Sequence, residues 1–181
     1  MAVDHGFLQT FIGLSIIFLD NGEVKFSMKD HVLDAIDDFP EEVSKSRTTP
    51  AGDSIFQVTS TSPFLDIGKG KLFHSIFAKL LSTSRRARPN IQVPIGFLGT
   101  RVTCSTQEDW IKLKHVLEYL KSTIDLALTL DMDSTSLVTW LVDTSYGVHL
   151  DMRSQTGGVM SLGRVLRTHA QENRSLILLV P

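Results

Sequence analysis

The sequence predicts an α+β fold, and three local signals carry that prediction. Asn21-Gly22 lies between two apolar runs, Phe7 to Leu19 and Val24 to Met28. Asn-Gly in that position is the strongest short-range hairpin signal, because a type I′ turn needs two residues at positive φ. Further on, Ser105-Thr106-Gln107-Glu108 reads as a capping box, Ser followed three residues later by Glu, and opens a helix with Trp110, Leu113, Leu117 and Leu120 spaced by three, four and three. After Ser122 the helical period is lost. Leu126 to Leu130 and Leu137 to Val142 read as short strands, and Gly157-Gly158 leads into a third at Val159 to Leu162.

Between these signals the chain has a readable order. Val32, Ile36 and Phe39 mark a helix that Pro40 stops. Six acids lie between Asp30 and Glu42, which fits a solvated helix face. Residues 41–70 are rich in Ser, Thr, Pro, Gly and Asp without a period, and form a long loop or linker. Helical spacing returns at Leu72, Phe73, Ile76, Phe77, Leu80 and Leu81. It runs into Ser84-Arg85-Arg86-Ala87-Arg88-Pro89, where a break is expected because Pro disfavours the α region in the residue before it. Ile91 to Val102 is apolar and reads as a further helical segment, although Pro94 sits inside it. No internal repeat occurs, and the chain ends in an apolar tail, Leu176 to Val180.

Composition bounds the chemistry. The 181 residues are 42% hydrophobic and 21% charged, enough for a sizeable core and unlike a disordered or fibrous chain. A formal charge of −2 removes a global electrostatic argument for nucleic-acid binding but not a local one. The single Cys104 excludes a disulfide framework or cysteine-based zinc site and suits a reducing compartment. Phe7 to Leu19 contains Gln9, Thr10 and Ser15 and is shorter than the roughly 20 residues that span a bilayer. Asp4 and His5 stand where a signal peptide carries positive charge. The expectation is an intracellular chain with no membrane attachment.

Few residues could carry chemistry. From Ile67 to Gln107 there are seven bases (Lys69, Lys71, Lys79, Arg85, Arg86, Arg88 and Arg101) and no acid. Arg85, Arg86 and Arg88 are close enough to meet neighbouring phosphates, which Arg matches bidentately; an ordinary solvated surface explains them equally well. Asp143 ends the apolar run Trp140-Leu141-Val142, a favourable place for a Mg²⁺ ligand, though on the residues alone a plain strand-ending surface Asp is the stronger reading. Two-metal phosphodiester chemistry needs several converging carboxylates, and spacing does not bring Asp131, Asp133 or Asp151 to Asp143. The six histidines show no pair at metal-ligand spacing. Nucleophile-elbow and Walker patterns are missing, and Gly68-Lys69-Gly70-Lys71 reads as a flexible basic turn.

The order of blocks resembles the polyprotein of copia-type LTR retrotransposons, from late reverse transcriptase into RNase H. Phe11-Ile12-Gly13-Leu14-Ser15-Ile16 followed by Val24-Lys25-Phe26-Ser27-Met28 is similar to the family's "FLG" hairpin and "hKhSQ". Thr48-Thr49-Pro50 is similar to its "STP" linker. Leu72 to Leu81 with Ala87-Arg88-Pro89-Asn90-Ile91 resembles "YRSAVGSLLY…TRPDI". Trp110 with Val116 to Thr123 resembles "HW…VLRYLKGT". Val142-Asp143-Thr144-Ser145-Tyr146 and Arg153 to Gly158 resemble "SDADWA…RRSTSGY". Each block is weak alone; their shared order over residues 11–163 gives the resemblance its strength.

The resemblance implies a division of the chain. Residues 1–40 would end a reverse transcriptase palm with its primer-gripping hairpin, and 41–70 would be a linker. Residues 71–123 would be helical thumb and connection, and 124–181 an incomplete, truncated RNase H-like antiparallel sheet. It implies a parent with RNA-directed DNA polymerase and RNase H activities using Mg²⁺, with Asp143 as the first catalytic and metal-binding carboxylate. Lys79, Arg85, Arg86 and Arg88 would contact an RNA·DNA or DNA duplex, and the remaining parts of the polyprotein would be partners. The family's polymerase aspartates would precede residue 1, and its "SSTEAE" glutamate has no counterpart here, so this chain alone is expected to be inactive. The alternative is a domesticated or incidental protein-interaction domain without catalysis.

The resemblance stops after Gly163. Codons can be chosen for Arg167 to Pro181 so that the same bases, read one position earlier, give Tyr-Thr-Arg-Thr-Arg-Lys-Gln-Lys-Leu-Asn-Thr-Pro-Ser-Ser. That string is similar to the family's basic strand and the start of its serine pair. A shifted frame is therefore expected, and genomic DNA with an intact frame there contradicts it.

Overall fold

The computed structural model describes residues 8–20, 22–130, 138–145 and 155–162, the last two stretches as strand backbone. The chain divides into two units. One comprises residues 1–28, 86–89 and 126–181, and the other residues 29–85 and 90–125.

The first unit holds a four-stranded antiparallel sheet in the order β1-β2-β3-β4, from β1 (Leu8–Phe11), β2 (Leu14–Phe18), β3 (Val24–Ser27) and β4 (Leu128–Leu130). The first apolar run therefore contains two strands. Phe11 pairs with Leu14, leaving Ile12 and Gly13 as a two-residue turn with φ of 50° and 72°. That is the positive-φ pair that a type I′ hairpin requires, with a β-branched residue in one of its two places. The expected Asn-Gly hairpin forms between β2 and β3, but with a longer loop. Leu19 N–H donates to Glu23 O (2.9 Å) and Gly22 N–H to Leu19 O (3.0 Å), so three residues close it, with Gly22 at φ 87°.

The strand expected at 126–130 is present as β4 but in a different sheet from the one anticipated. It pairs antiparallel with β3, Val24 opposite Leu130 and Phe26 opposite Leu128. These apolar cross-strand pairs give β3 the second neighbour that an otherwise open strand lacks. The same unit contains β5 (Val138–Ser145) and β6 (Gln155–Leu162), an eight-pair antiparallel ladder from Val138↔Leu162 to Ser145↔Gln155.

Helices build the second unit: α1 (Lys29–Asp37), α2 (Ile67–Arg86, whose last residue counts with the first unit), α3 (Gln92–Arg101) and α4 (Gln107–Ser122). Its core is fed from every helix: Val32 and Ala35, Phe73, Ile76 and Leu80, Ile95 and Leu98, and Trp110, Leu113, Val116, Leu117 and Leu120. The α4 stripe is the one its spacing predicts. Helix α3 forms despite Pro94, which occupies the first turn, where a backbone N–H has no intrahelical acceptor to lose.

The cap of α4 is one residue beyond the expected box. Thr106 is the N-cap and Asp109 its partner: Thr106 N–H donates to Asp109 Oδ2 at 2.9 Å, and Asp109 N–H donates to Thr106 Oγ1 at 3.5 Å. Glu108 is thereby free to accept from Thr59 N–H at 3.0 Å.

Of the expected 41–70 linker, residues 41–66 are irregular and 67–70 form the start of α2, and all of them fall within the helical unit. Phe39, Val43 and Ile55 enter the core, and polar contacts fasten the stretch to α4. Glu41 accepts from Trp110 Nε1 (2.8 Å) and Lys114 Nζ (2.9 Å), and Val43 O accepts from Lys121 Nζ (2.8 Å). Arg47 Nε donates to Glu118 Oε2 (2.8 Å), and His115 Nε2 lies 3.0 Å from Thr49 O. Period-free sequence here means bonds made through side chains and single carbonyls.

Candidate nucleic-acid interface

The basic run from Ile67 to Gln107 is an excess in sequence but much less of one in space. Lys79, on the core-flanking side of α2, pairs with Asp38 at 2.8 Å. Arg101, in the last turn of α3, pairs with the buried Asp109 at 3.3 Å. Lys69 sits over the Trp110 ring, 5.5 Å from its centroid. Acids before and after the run in sequence thus neutralise bases within it, which no local charge count can show.

Of the four candidate duplex-binding residues, Arg85 and Arg86 are exposed on the last turn of α2. Arg88 is only 3% exposed and is engaged in interactions of its own, so it offers no surface charge to a phosphate. Arg86 Nη1 also donates to Ile12 O at the hairpin turn, at 3.4 Å. The candidate surface narrows to two consecutive guanidinium groups, which also complement the partial negative charge at the C-terminal end of α2. Lys71, near the other end of the same helix, is exposed as well.

Asp143 lies on β5 opposite Gly157 of β6. The two strands, VTWLVDTS and QTGGVMSL, contain no second carboxylate. Asp131, Asp133 and Asp151 lie outside the described residues, as does the apolar tail. Among the described residues no group of three His, Cys, Asp or Glu gathers to hold a metal. The Mg²⁺ site that the resemblance implies requires several converging carboxylates, and its candidate acids other than Asp143 lie outside the described residues. No helix among the described residues is long and apolar enough to cross a membrane.

The most elaborate electrostatic cluster was not legible as a site. Glu41 lies below the ordinary carboxylate range because Lys114 and then Trp110 donate to it, outweighing partial burial. Glu108 is also lowered: burial works to raise it, but hydrogen bonds from Thr59 and the Lys112 ammonium prevail. Phe39 stacks on Trp110 with ring centroids 4.6 Å apart. These groups are satisfied by one another and serve to fasten residues 39–59 to α4.

The chain is 29% identical over 160 residues to a curated Saccharomyces cerevisiae protein named "Putative transposon Ty5-1 protein YCL074W", a match that covers 88% of this chain and 51% of the relative. The chain thus spans about half the length of the curated relative it matches. This similarity supports a retrotransposon-derived origin. No family model matches the chain, and no solved structure matches it.

Proposed function

We propose that the chain is a remnant of a copia-type retrotransposon reverse transcriptase/RNase H that grips a nucleic-acid duplex weakly and catalyses nothing by itself. The observation that carries the binding half is the exposure of Arg85 and Arg86 together, in a segment without acids. Similarity to the Ty5-1 protein along most of the chain supports the parentage. The order of the resemblance blocks makes residues 11–28 the end of the palm, the helical unit thumb and connection, and β5–β6 the opening of an RNase H-like sheet. In this reading the remaining parts of the polyprotein are the partners that would complete a site around Asp143.

Inactivity follows from chemistry. One carboxylate on a two-stranded ladder cannot hold and bridge two metal ions. Binding is weak because two arginines release few counterions, and it falls as salt rises. Incubating the chain with a labelled RNA·DNA hybrid and Mg²⁺ tests the first half. The expected result is intact RNA; cleavage that Asp143→Asn abolishes overturns the inactive-remnant reading.

Exposed Phe64, Ile67 and Ile111 favour a second reading, protein interaction without nucleic acid. A partner captured with an affinity independent of salt, together with no duplex binding, would establish it.

A further inference from the structure

We propose that Thr49 is a phosphoacceptor site for a proline-directed serine/threonine kinase. The sequence offers two hydroxyl residues followed by proline, Thr49-Pro50 and Ser62-Pro63, and the structure treats them differently. Such kinases take up the substrate chain in extended form. Proline favours that form in the residue before it and brings no backbone N–H that needs a partner in the kinase groove.

Thr49 meets these demands. It is exposed in an irregular segment, and its hydroxyl donates to Ala51 O at 3.0 Å, a contact that leaves the oxygen lone pairs available for attack. Its carbonyl is met by a side chain, His115, whose Nε2 lies 3.0 Å from Thr49 O. A ring can swing away without breaking backbone pairing, so the turn can be drawn into a kinase site while the helical core stays intact.

Ser62 fails the same test. It is only partly exposed, and its Oγ accepts from Glu108 N–H at 3.2 Å in the first turn of α4. Its N–H donates to Thr59 O (3.1 Å), and the following residues are paired through backbone bonds, Gln107 N–H to Pro63 O (2.9 Å) and Leu65 N–H to Ser105 O (3.0 Å). Extending this segment would undo the start of α4.

The surroundings suit the product. Lys45, which is exposed, and Arg47, which is paired with Glu118, precede Thr49, so the added phosphate, about −1.5 to −2 in charge at neutral pH, enters a basic stretch. The transfer is balanced: Thr49 Oγ1 bonds to the γ-phosphorus of ATP, the bond to the bridging oxygen breaks, ADP leaves, and the hydroxyl proton passes to the kinase's base.

The test is to incubate the full chain with a proline-directed kinase and Mg·ATP and to locate phosphate by tandem mass spectrometry. One phosphate at Thr49 is expected, lost in Thr49→Ala, retained in Thr49→Ser and lost in Pro50→Ala, with Ser62 unmodified. No incorporation into the wild-type chain, modification of Ser62 in preference to Thr49, or incorporation unaffected by Pro50→Ala would each overturn the proposal.

Discussion

Arg47 Nε lies 2.8 Å from Glu118 Oε2, although 71 residues separate them and one belongs to an irregular segment. Glu118 is 2% exposed and Arg47 is the cation paired with it, while Arg47 keeps about a third of its surface in water. Arg47→Ala is expected to destabilise the helical unit by about 2 kcal/mol, less than the ~3–5 kcal/mol of a fully buried pair because solvent screens the Arg side. Adding Glu118→Gln should recover part of that loss. Urea unfolding of both variants checks it, and equal midpoints for wild type and Arg47→Ala would refute it.

Acid should loosen the same fastening. Glu41 and Glu108 both titrate below the ordinary carboxylate value of 4.5, the first through Lys114 and Trp110, the second through Thr59 and Lys112 against the opposing effect of burial. A carboxylate with a depressed folded-state pKa contributes its full stability above the unfolded value and loses it as pH falls through the folded one. The unfolding midpoint should therefore hold steady from neutral pH down to about 4.5 and drop below it. Glu41→Gln should be less stable at neutral pH and show a shallower decline in acid.

Ile12 is the place where a substitution should help. It is held at φ 50° with its side chain 65% exposed, so the chain bears left-handed strain there with little burial in return. Ile12→Asn should stabilise by about 1 kcal/mol, since Asn tolerates this region far better than a β-branched residue. A lower thermal midpoint would mean that Ile12 has an apolar contact outweighing the strain.

What could be read from the sequence was local and periodic. The α4 stripe from Trp110 to Leu120 was legible because spacing alone determines which face is buried. Pro40 and the Asn-Gly pair marked a helix stop and a hairpin correctly, yet Asn-Gly did not reveal a three-residue loop, and Ile12-Gly13 carried no turn signal at all. The cap was misplaced by one residue because Ser105 and Thr106 are both good N-caps, and only backbone geometry shows which one Asp109 answers. The pairing of Leu128–Leu130 with Val24–Ser27 was illegible, because strand partnership over such a separation depends on which edge is open. Arg88 failed as a surface residue for a similar reason: charge in sequence says nothing of burial. Asp143 was legible as an acid at the end of an apolar run, but the convergence its chemistry needs is a property of three dimensions.

The most direct test of the central claim is fluorescence anisotropy of a labelled RNA·DNA hybrid, titrated with the full chain at about 50 and about 200 mM salt. Wild type should bind weakly and more weakly at the higher salt. Arg85→Ala/Arg86→Ala should bind less tightly at the lower salt and lose about two units from the slope of log affinity against log salt, while Lys79→Ala, whose partner is Asp38, should change little. Binding that ignores salt, or that survives loss of both arginines unchanged, would contradict the account.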